Sequence, residues 1–212
     1  MNITALRPRF KDYLEPLAAI AANLGITPNQ LSLLSLLSGG GAALLYSLRF
    51  FFAGTILLLL SGVFDLVDGS VARRTDNKTN FGAVFDWIVD KYVDGLVLLG
   101  VGLSGIQIIS WVQFVVLPPI ADFGVVTIAI IGSLMNTFIK PVVYAEVGFS
   151  ERKNGKIDDP LEGVGFFGRP ETVLVLVVGG LTGFIWISIL VIAVCTNLSA
   201  VQRILYLYRE LA

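Results

Sequence analysis

Long apolar stretches separated by short polar ones divide this chain into segments near 29–48, 51–72, 83–104, 108–140, 171–183 and 184–205. Each reads as a helix, and together they read as membrane spans. Ahead of them, Pro8 to Leu24 mixes polar and apolar positions in the manner of a short amphipathic helix lying at a membrane interface. Thr27-Pro28-Asn29 reads as a helix start, with Thr27 as the N-cap and Pro28 at the first position. Pro118-Pro119 and Asp122 interrupt the fourth segment, so a kink or break is expected there. Gly179, Gly180 and Gly183 leave the boundary between the last two segments open between a turn and close helix packing. The expected fold is all-α and integral to the membrane, with six transmembrane helices and an N-terminal interfacial helix. The whole chain, 1–212, forms a single membrane domain, with 1–28 as the interfacial segment and 29–212 as the core.

The polar positions inside the apolar segments carry the chemistry. Asp65 and Asp68 lie three residues apart, and Asp86 and Asp90 four apart, so each pair shares one helix face. An aspartate at bilayer depth costs roughly 2.5–3.5 kcal/mol, and four cost on the order of 10–14 kcal/mol before any offset. Bound cations are the natural offset. With no His and a single Cys (Cys195), zinc, haem and disulfide chemistry are excluded, and oxygen-ligand metals such as Mg²⁺ or Mn²⁺ suit the aspartates. Charged residues make up only 15% of the chain against 55% hydrophobic, a balance that leaves no room for a separate soluble domain.

Basic residues sort by side. Arg7, Arg9, Lys11, Arg73, Arg74, Lys78, Arg152, Lys153, Lys156, Arg169, Arg203 and Arg209 would share one face, against Arg49 alone on the other. The asymmetry predicts cytoplasmic termini, an even number of spans, and a cytoplasmic aspartate cluster at the ends of the second and third. Two facing aspartate pairs there could hold two cations. Gly69 removes a side chain beside Asp68, Ala72 keeps the next turn small, Arg73 offers a planar fork for phosphate, and Gly82 allows a tight passage into the next helix.

The string Asp65-x-x-Asp68-Gly69-x-x-Ala72-Arg73-x8-Gly82-x-x-x-Asp86-x-x-x-Asp90 resembles the signature of the CDP-alcohol phosphotransferases at every defined position. The resemblance implies displacement of CMP from a CDP-linked alcohol by an acceptor hydroxyl. It makes Asp65, Asp68 and Asp86 metal ligands and Asp90 the general base and a further metal contact. Asp68, Gly69, Ala72, Arg73 and Gly82 would form the CDP site. Two divalent ions, Mg²⁺ or Mn²⁺, a CDP-linked lipid donor entering from the membrane, a polar alcohol acceptor and a homodimer follow from the same resemblance, with no nucleic-acid partner. Intramembrane carboxylates also line cation channels and transporters, but the glycines, Ala72 and Arg73 at fixed spacing weigh toward the transferase.

Asp90-Lys91-Tyr92-Val93-Asp94-Gly95, Phe138-Ile139-Lys140, Gly168-Arg169-Pro170-Glu171 and Gln202-Arg203 resemble motifs of the phosphatidylinositol-phosphate and archaetidylinositol-phosphate synthase branch. On that likeness Lys140, Arg203, Arg169 and Lys91 are acceptor-binding candidates. Two departures stand out: Pro141-Val142 replaces an Ala-Arg, and Thr172 replaces an Arg, which halves the cations for an acceptor phosphate. A polyol or polyol phosphate is the expected acceptor, with a neutral alcohol, glycerol phosphate or serine as the alternative. The plainer readings make Lys140 and Arg203 interfacial anchors, Lys91 a partner for a nearby acid, and Asp94 a helix-packing polar residue. The Gly39-Gly40-Gly41 run reads as close packing between helices.

Overall fold

The computed structural model describes residues 7–76, 79–111, 117–148, 152–153, 156–157, 161 and 163–211. Lys78, Asp158 and Asp159 lie outside them. The elements run α1 (Arg7–Asn23), α2 (Pro28–Ser47), α3 (Phe51–Arg74), α4 (Asn80–Leu103), α5 (Ile120–Val147), the two-residue antiparallel strands β1 (Arg152–Lys153) and β2 (Lys156–Ile157), α6 (Arg169–Thr182) and α7 (Ile185–Leu211).

The local punctuation follows from the residues. Thr27 caps α2 in a capping box: Gln30 N donates to Thr27 Oγ1 at 3.3 Å and Thr27 N to Gln30 Oε1 at 2.8 Å, with Pro28 at the start of the helix. Thr79 caps α4 by accepting from Gly82 N at 2.9 Å. Gly183 ends α6 with φ +81°, which settles the turn between α6 and α7. Gly179 and Gly180 instead admit the side chains of Ser188 and Thr55 against their backbones. Gly39 likewise lets Val93 of α4 approach α2; a Cβ there would meet Val93 at 2.7 Å.

The fourth apolar segment breaks at its prolines, as expected. Its helix begins only at Ile120, behind Pro118-Pro119, and then runs through Pro141 to Val147. Ahead of it the chain turns, and the Asp122 carboxylate takes the backbone N–H groups of Ile108, Ile109 and Ser110 at 2.7–2.9 Å together with Ser110 Oγ at 2.5 Å. Pro118-Pro119 precede the helix, which is the break expected of them, and Asp122 in its first turn accepts from the 108–110 turn.

The expected set of six spanning helices is overturned. Among the described residues three helices are long and apolar enough to cross a membrane by length and composition: Phe51–Arg74, Ile120–Val147 and Ile185–Leu211. The physical reasons differ for the others. α6 has only 14 residues, α4 carries Asp86, Asp90, Lys91 and Asp94, and serines, glycines and a polar first turn dilute α2. The chain is thus an all-α, multi-pass integral membrane protein.

A core of Tyr46, Val89, Val93, Val97, Leu98, Val101, Val126, Ile189, Ile192 and their neighbours joins α2, α4, α5 and α7. A smaller cluster seats α1 on α3 through Ala18 and Ala21 against Val67 and Val71, and Arg74 reaches Glu15 of α1 at 3.1 Å. The helix expected at the interface is therefore also docked against the motif helix.

Candidate active site

α3 and α4 are joined by the short segment 75–79, which sets the end of one beside the start of the other. Asp65 from α3 and Asp86 and Asp90 from α4 meet there, each offering a carboxylate oxygen within 4.8 Å of the other two. The helical spacing predicts two facing pairs, and three of those four carboxylates form this group. Three carboxylates so close repel one another unless positive charge is placed among them.

The protein supplies one such charge from an element far away in sequence. Arg169, in the first turn of α6, spreads its guanidinium over the cluster: Nη1 lies 3.0 Å from Asp65 Oδ2, Nη2 2.9 Å from Asp90 Oδ1, and Nε 3.2 Å from Asp94 Oδ1. Asp94 in turn accepts from Lys91 Nζ at 3.1 Å, and Lys91 also donates to Thr137 of α5 at 3.2 Å. Asp94, 3% exposed at its side chain, thus holds two cations at once. Lys91 does pair with a nearby acid, three residues along its own helix.

Asp90 Oδ1 is buried, and the Arg169 contact is an ion pair that makes no hydrogen bond to it. An acceptor with lone pairs to spare, beside two further carboxylates, fits a divalent cation bound by oxygen. Asp68 makes a separate contact. It is 5% exposed and accepts from Ser32 Oγ of α2 at 2.7 Å, outside the group formed by the other three.

The small residues of the motif have distinct surroundings. A Cβ on Gly69 would meet Arg73 Nη1 at 3.4 Å, and Arg73 Nη2 donates to Ser70 Oγ at 2.9 Å. A Cβ on Gly82 would meet Thr79 Oγ1 at 3.0 Å and Asn29 Oδ1 at 3.1 Å, so this glycine fits the start of α4 against the start of α2. Ala72 is half-buried, and Arg73 is exposed.

The four acceptor candidates part company. Lys91 and Arg169 converge on Asp94. Lys140 lies one turn beyond Thr137 on α5, on the side that Lys91 reaches. Arg203, 6% exposed on α7, donates through Nε to Val164 O at 3.0 Å and through Nη1 to Asn136 O. Sequence reasoning passed over Ser32, Thr137 and Asn136. Asp94 had a visible signal, one helical turn beyond Asp90; the hydroxyls and the amide had none.

Comparison with known proteins agrees with this geometry. The profile of the CDP-alcohol phosphatidyltransferase family matches residues 25–198. An archaetidylinositol phosphate synthase of Pyrococcus horikoshii is 27% identical over 206 residues, 95% of this chain and 94% of that protein. A phosphatidylinositol phosphate synthase of Corynebacterium glutamicum is 33% identical over 171 residues, 80% and 69% of the two chains. Two crystal structures of the Mycobacterium tuberculosis phosphatidylinositol phosphate synthase share the fold at 23% identity. The form with CDP-DAG bound has a TM-score of 0.71 over 92% of this chain and 93% of that one. The complex with manganese and citrate has a TM-score of 0.72 over 92% and 88%. With its profile matched over most of its length and its aspartates gathered at one site, this chain belongs to the CDP-alcohol phosphatidyltransferase family and is a membrane-integral CDP-alcohol phosphotransferase.

Proposed function

We propose that the chain moves the lipid-bearing phosphate of a CDP-activated glycerolipid, diacylglycerol- or archaeol-based, onto the hydroxyl of a polyol phosphate such as inositol phosphate. The observation that carries this is the meeting of Asp65, Asp86 and Asp90 within 4.8 Å at the family's motif positions. The names of the relatives, which include phosphatidylinositol and archaetidylinositol phosphate synthases, supply the acceptor class.

In this reading Asp65, Asp68, Asp86 and Asp90 hold two divalent ions, Mg²⁺ or Mn²⁺, which when bound neutralise the pyrophosphate and the departing CMP. Gly69 and Gly82 leave the backbone open to the nucleotide, and Arg73 meets its phosphate. Asp90, whose Oδ1 has unused acceptor capacity, takes the proton of the acceptor hydroxyl. The acceptor oxygen forms its bond to the lipid-bearing phosphorus as the bond from that phosphorus to the CMP oxygen breaks. Arg169 keeps Asp65 and Asp90 at fixed separation while this happens. Lys140, with Lys91 across from it, provides the positive charge for an acceptor phosphate.

The basic residues Arg73 and Arg74 beside the cluster support a site on the cytoplasmic face, together with α1, which Arg74 ties down, and the α7 end that carries Arg203. The whole chain would act as one membrane domain. The working unit would be a homodimer, a reading that rests on the family resemblance and is tested by the mass of the detergent-solubilised enzyme. The deciding experiment is CMP release by purified protein. CDP-diacylglycerol and CDP-archaeol serve as donors, inositol 1-phosphate, inositol, glycerol 3-phosphate, glycerol and serine as acceptors, with Mg²⁺, Mn²⁺ or chelator present. Metal-dependent release with inositol 1-phosphate is expected. Release with serine or glycerol alone would keep the transferase and replace the acceptor; no release with any pair would overturn the reading.

A further inference from the structure

Arg203 does something other than wait for a substrate anion. Its Nε and Nη1 are turned onto two main-chain carbonyls, Val164 O in the segment before α6 and Asn136 O within α5. The side chain of Asn136 continues the connection, Nδ2 donating to Phe167 O at 2.6 Å. Ser199, one turn before Arg203 on α7, accepts from Phe167 N at 3.4 Å. Gly165 is shaped for this arrangement in two ways. Its φ of +96° disfavours an L side chain, and a Cβ would meet Arg203 Nε at 2.7 Å and Ser199 Oγ at 2.8 Å. The segment then enters α6 under its own cap, Gly168 N donating to Glu171 Oε2 at 2.9 Å and Thr172 Oγ1 to Gly168 O at 3.1 Å. The next residue is Arg169, whose three guanidinium nitrogens meet Asp65, Asp90 and Asp94.

We propose that Arg203 and Asn136 are positioning residues: they latch the 164–168 segment between α5 and α7, so that Arg169 is delivered into the carboxylate cluster of α3 and α4. The physical case is one of reach. Arg169 sits at the first position of a helix, where no intrahelical hydrogen bond fixes its own N–H, so its register depends on the chain that precedes it. That chain lacks regular secondary structure, and its carbonyls and amide are satisfied by α5 and α7 instead. Arg203 supplies a rigid fork that spans two carbonyls, which a lysine cannot do. Thr172, which stands where the branch carries an arginine, is spent on the same cap, so in this chain the side chains around the 164–172 stretch serve its shape.

The proposal deepens the transferase reading and rests on it for its kinetic arm, while a metal-binding arm stands apart. In the metal arm, Mn²⁺ binding to purified protein is titrated by electron paramagnetic resonance in Asn136→Ala, Arg203→Gln, Arg203→Lys and Arg169→Gln. Loss of the guanidinium from the cluster removes a competing positive charge, so Arg169→Gln binds Mn²⁺ more tightly by about threefold or more. The latch variants shift in the same direction. Unchanged Mn²⁺ binding in the latch variants overturns the proposal, whether or not Arg169→Gln shifts. In the kinetic arm, with inositol 1-phosphate as acceptor, Asn136→Ala and Arg203→Gln each lower kcat by about tenfold or more, with acceptor KM within about twofold of wild type. The double variant is no worse than the weaker single one. A rise of about fivefold or more in acceptor KM for Arg203→Gln, with Asn136→Ala like wild type, assigns Arg203 to the acceptor and overturns the latch. Arg203→Lys keeps the charge and loses the fork, so the latch predicts a kcat defect where an acceptor site predicts near-normal KM and kcat. If Arg203→Gln fails to fold, Asn136→Ala and Arg203→Lys decide the matter. If wild type releases no CMP, the transferase reading fails while the Mn²⁺ titration still decides the latch.

Discussion

Two aspartates, the buried Asp122 and the half-buried Asp90, show how one side chain serves two ends of this molecule. Asp122 is 7% exposed and fully occupied: three backbone amides and a serine hydroxyl converge on its oxygens. Every donor comes from the turn at 108–110, so the carboxylate ties that turn to the start of α5 and has its acceptor sites filled. A cavity of about 240 Å³ lies beside it, lined by Gly105, Ile108, Phe123 and others, yet the acid at its wall is saturated. Asp90 is half-buried with its Oδ1 enclosed, but that oxygen accepts no hydrogen bond, and its surroundings are an arginine and two more carboxylates from another turn and another helix. Burial alone does not distinguish scaffold from chemistry. What sets Asp90 apart is an unspent acceptor placed among other carboxylates, where a cation can offset the cost of an unsatisfied buried oxygen.

The comparison can be broken most forcefully at Asp90. Asp90→Asn keeps the shape and removes the proton acceptor, so kcat should fall by about 10²–10⁴ while donor binding persists. Turnover near wild type would move the general base elsewhere. Asp122→Ala should do the opposite. It leaves three amides without their acceptor at about 1–3 kcal/mol each, so a loss of at least about 3 kcal/mol in stability is expected. A lowered thermal midpoint in detergent with unchanged Mn²⁺ affinity supports the division of labour. Altered Mn²⁺ affinity would show that the two ends are coupled.

The two ends were not equally legible. Helical spacing alone placed Asp65, Asp86 and Asp90 on facing surfaces, because a period of 3.6 fixes which residues share a face and a short connection fixes which faces meet. The cap at Thr27 and the pairing of Lys91 with an acid were local and therefore readable, whereas the glycines before α7 left turn and packing open until Gly183 proved to be the turn. Arg169 was visible as a cation near a motif, but its place among the carboxylates depends on contacts spanning up to 104 residues, which no local pattern encodes. The same holds for Arg203, two of whose partners are backbone carbonyls that carry no side-chain signature. The span count failed for a different reason. Polar residues that α2 and α4 place inside the bundle lower their hydropathy, and α6, ended by Gly183, has only 14 residues.

Asp68 stands between the two types and offers the finest test. Like Asp122 it is buried and satisfied by a protein donor, Ser32 Oγ at 2.7 Å; like Asp90 it lies on the motif, three residues from Asp65. Ser32 also shares its hydroxyl with Pro28 O at 3.2 Å, so it belongs to the first turn of α2 and couples that turn to α3. If Asp68 is a metal ligand, Ser32 orients it, and Ser32→Ala should weaken Mn²⁺ binding by about tenfold with little change in thermal midpoint. The alternative result is a fall of about 1 kcal/mol in stability with metal affinity intact, the cost of one hydrogen bond lost from a scaffold. That would place Asp68 with Asp122 and leave Asp65, Asp86 and Asp90 to do the binding. A titration of one hydroxyl variant therefore decides whether the fourth aspartate belongs to the chemistry or to the walls around it.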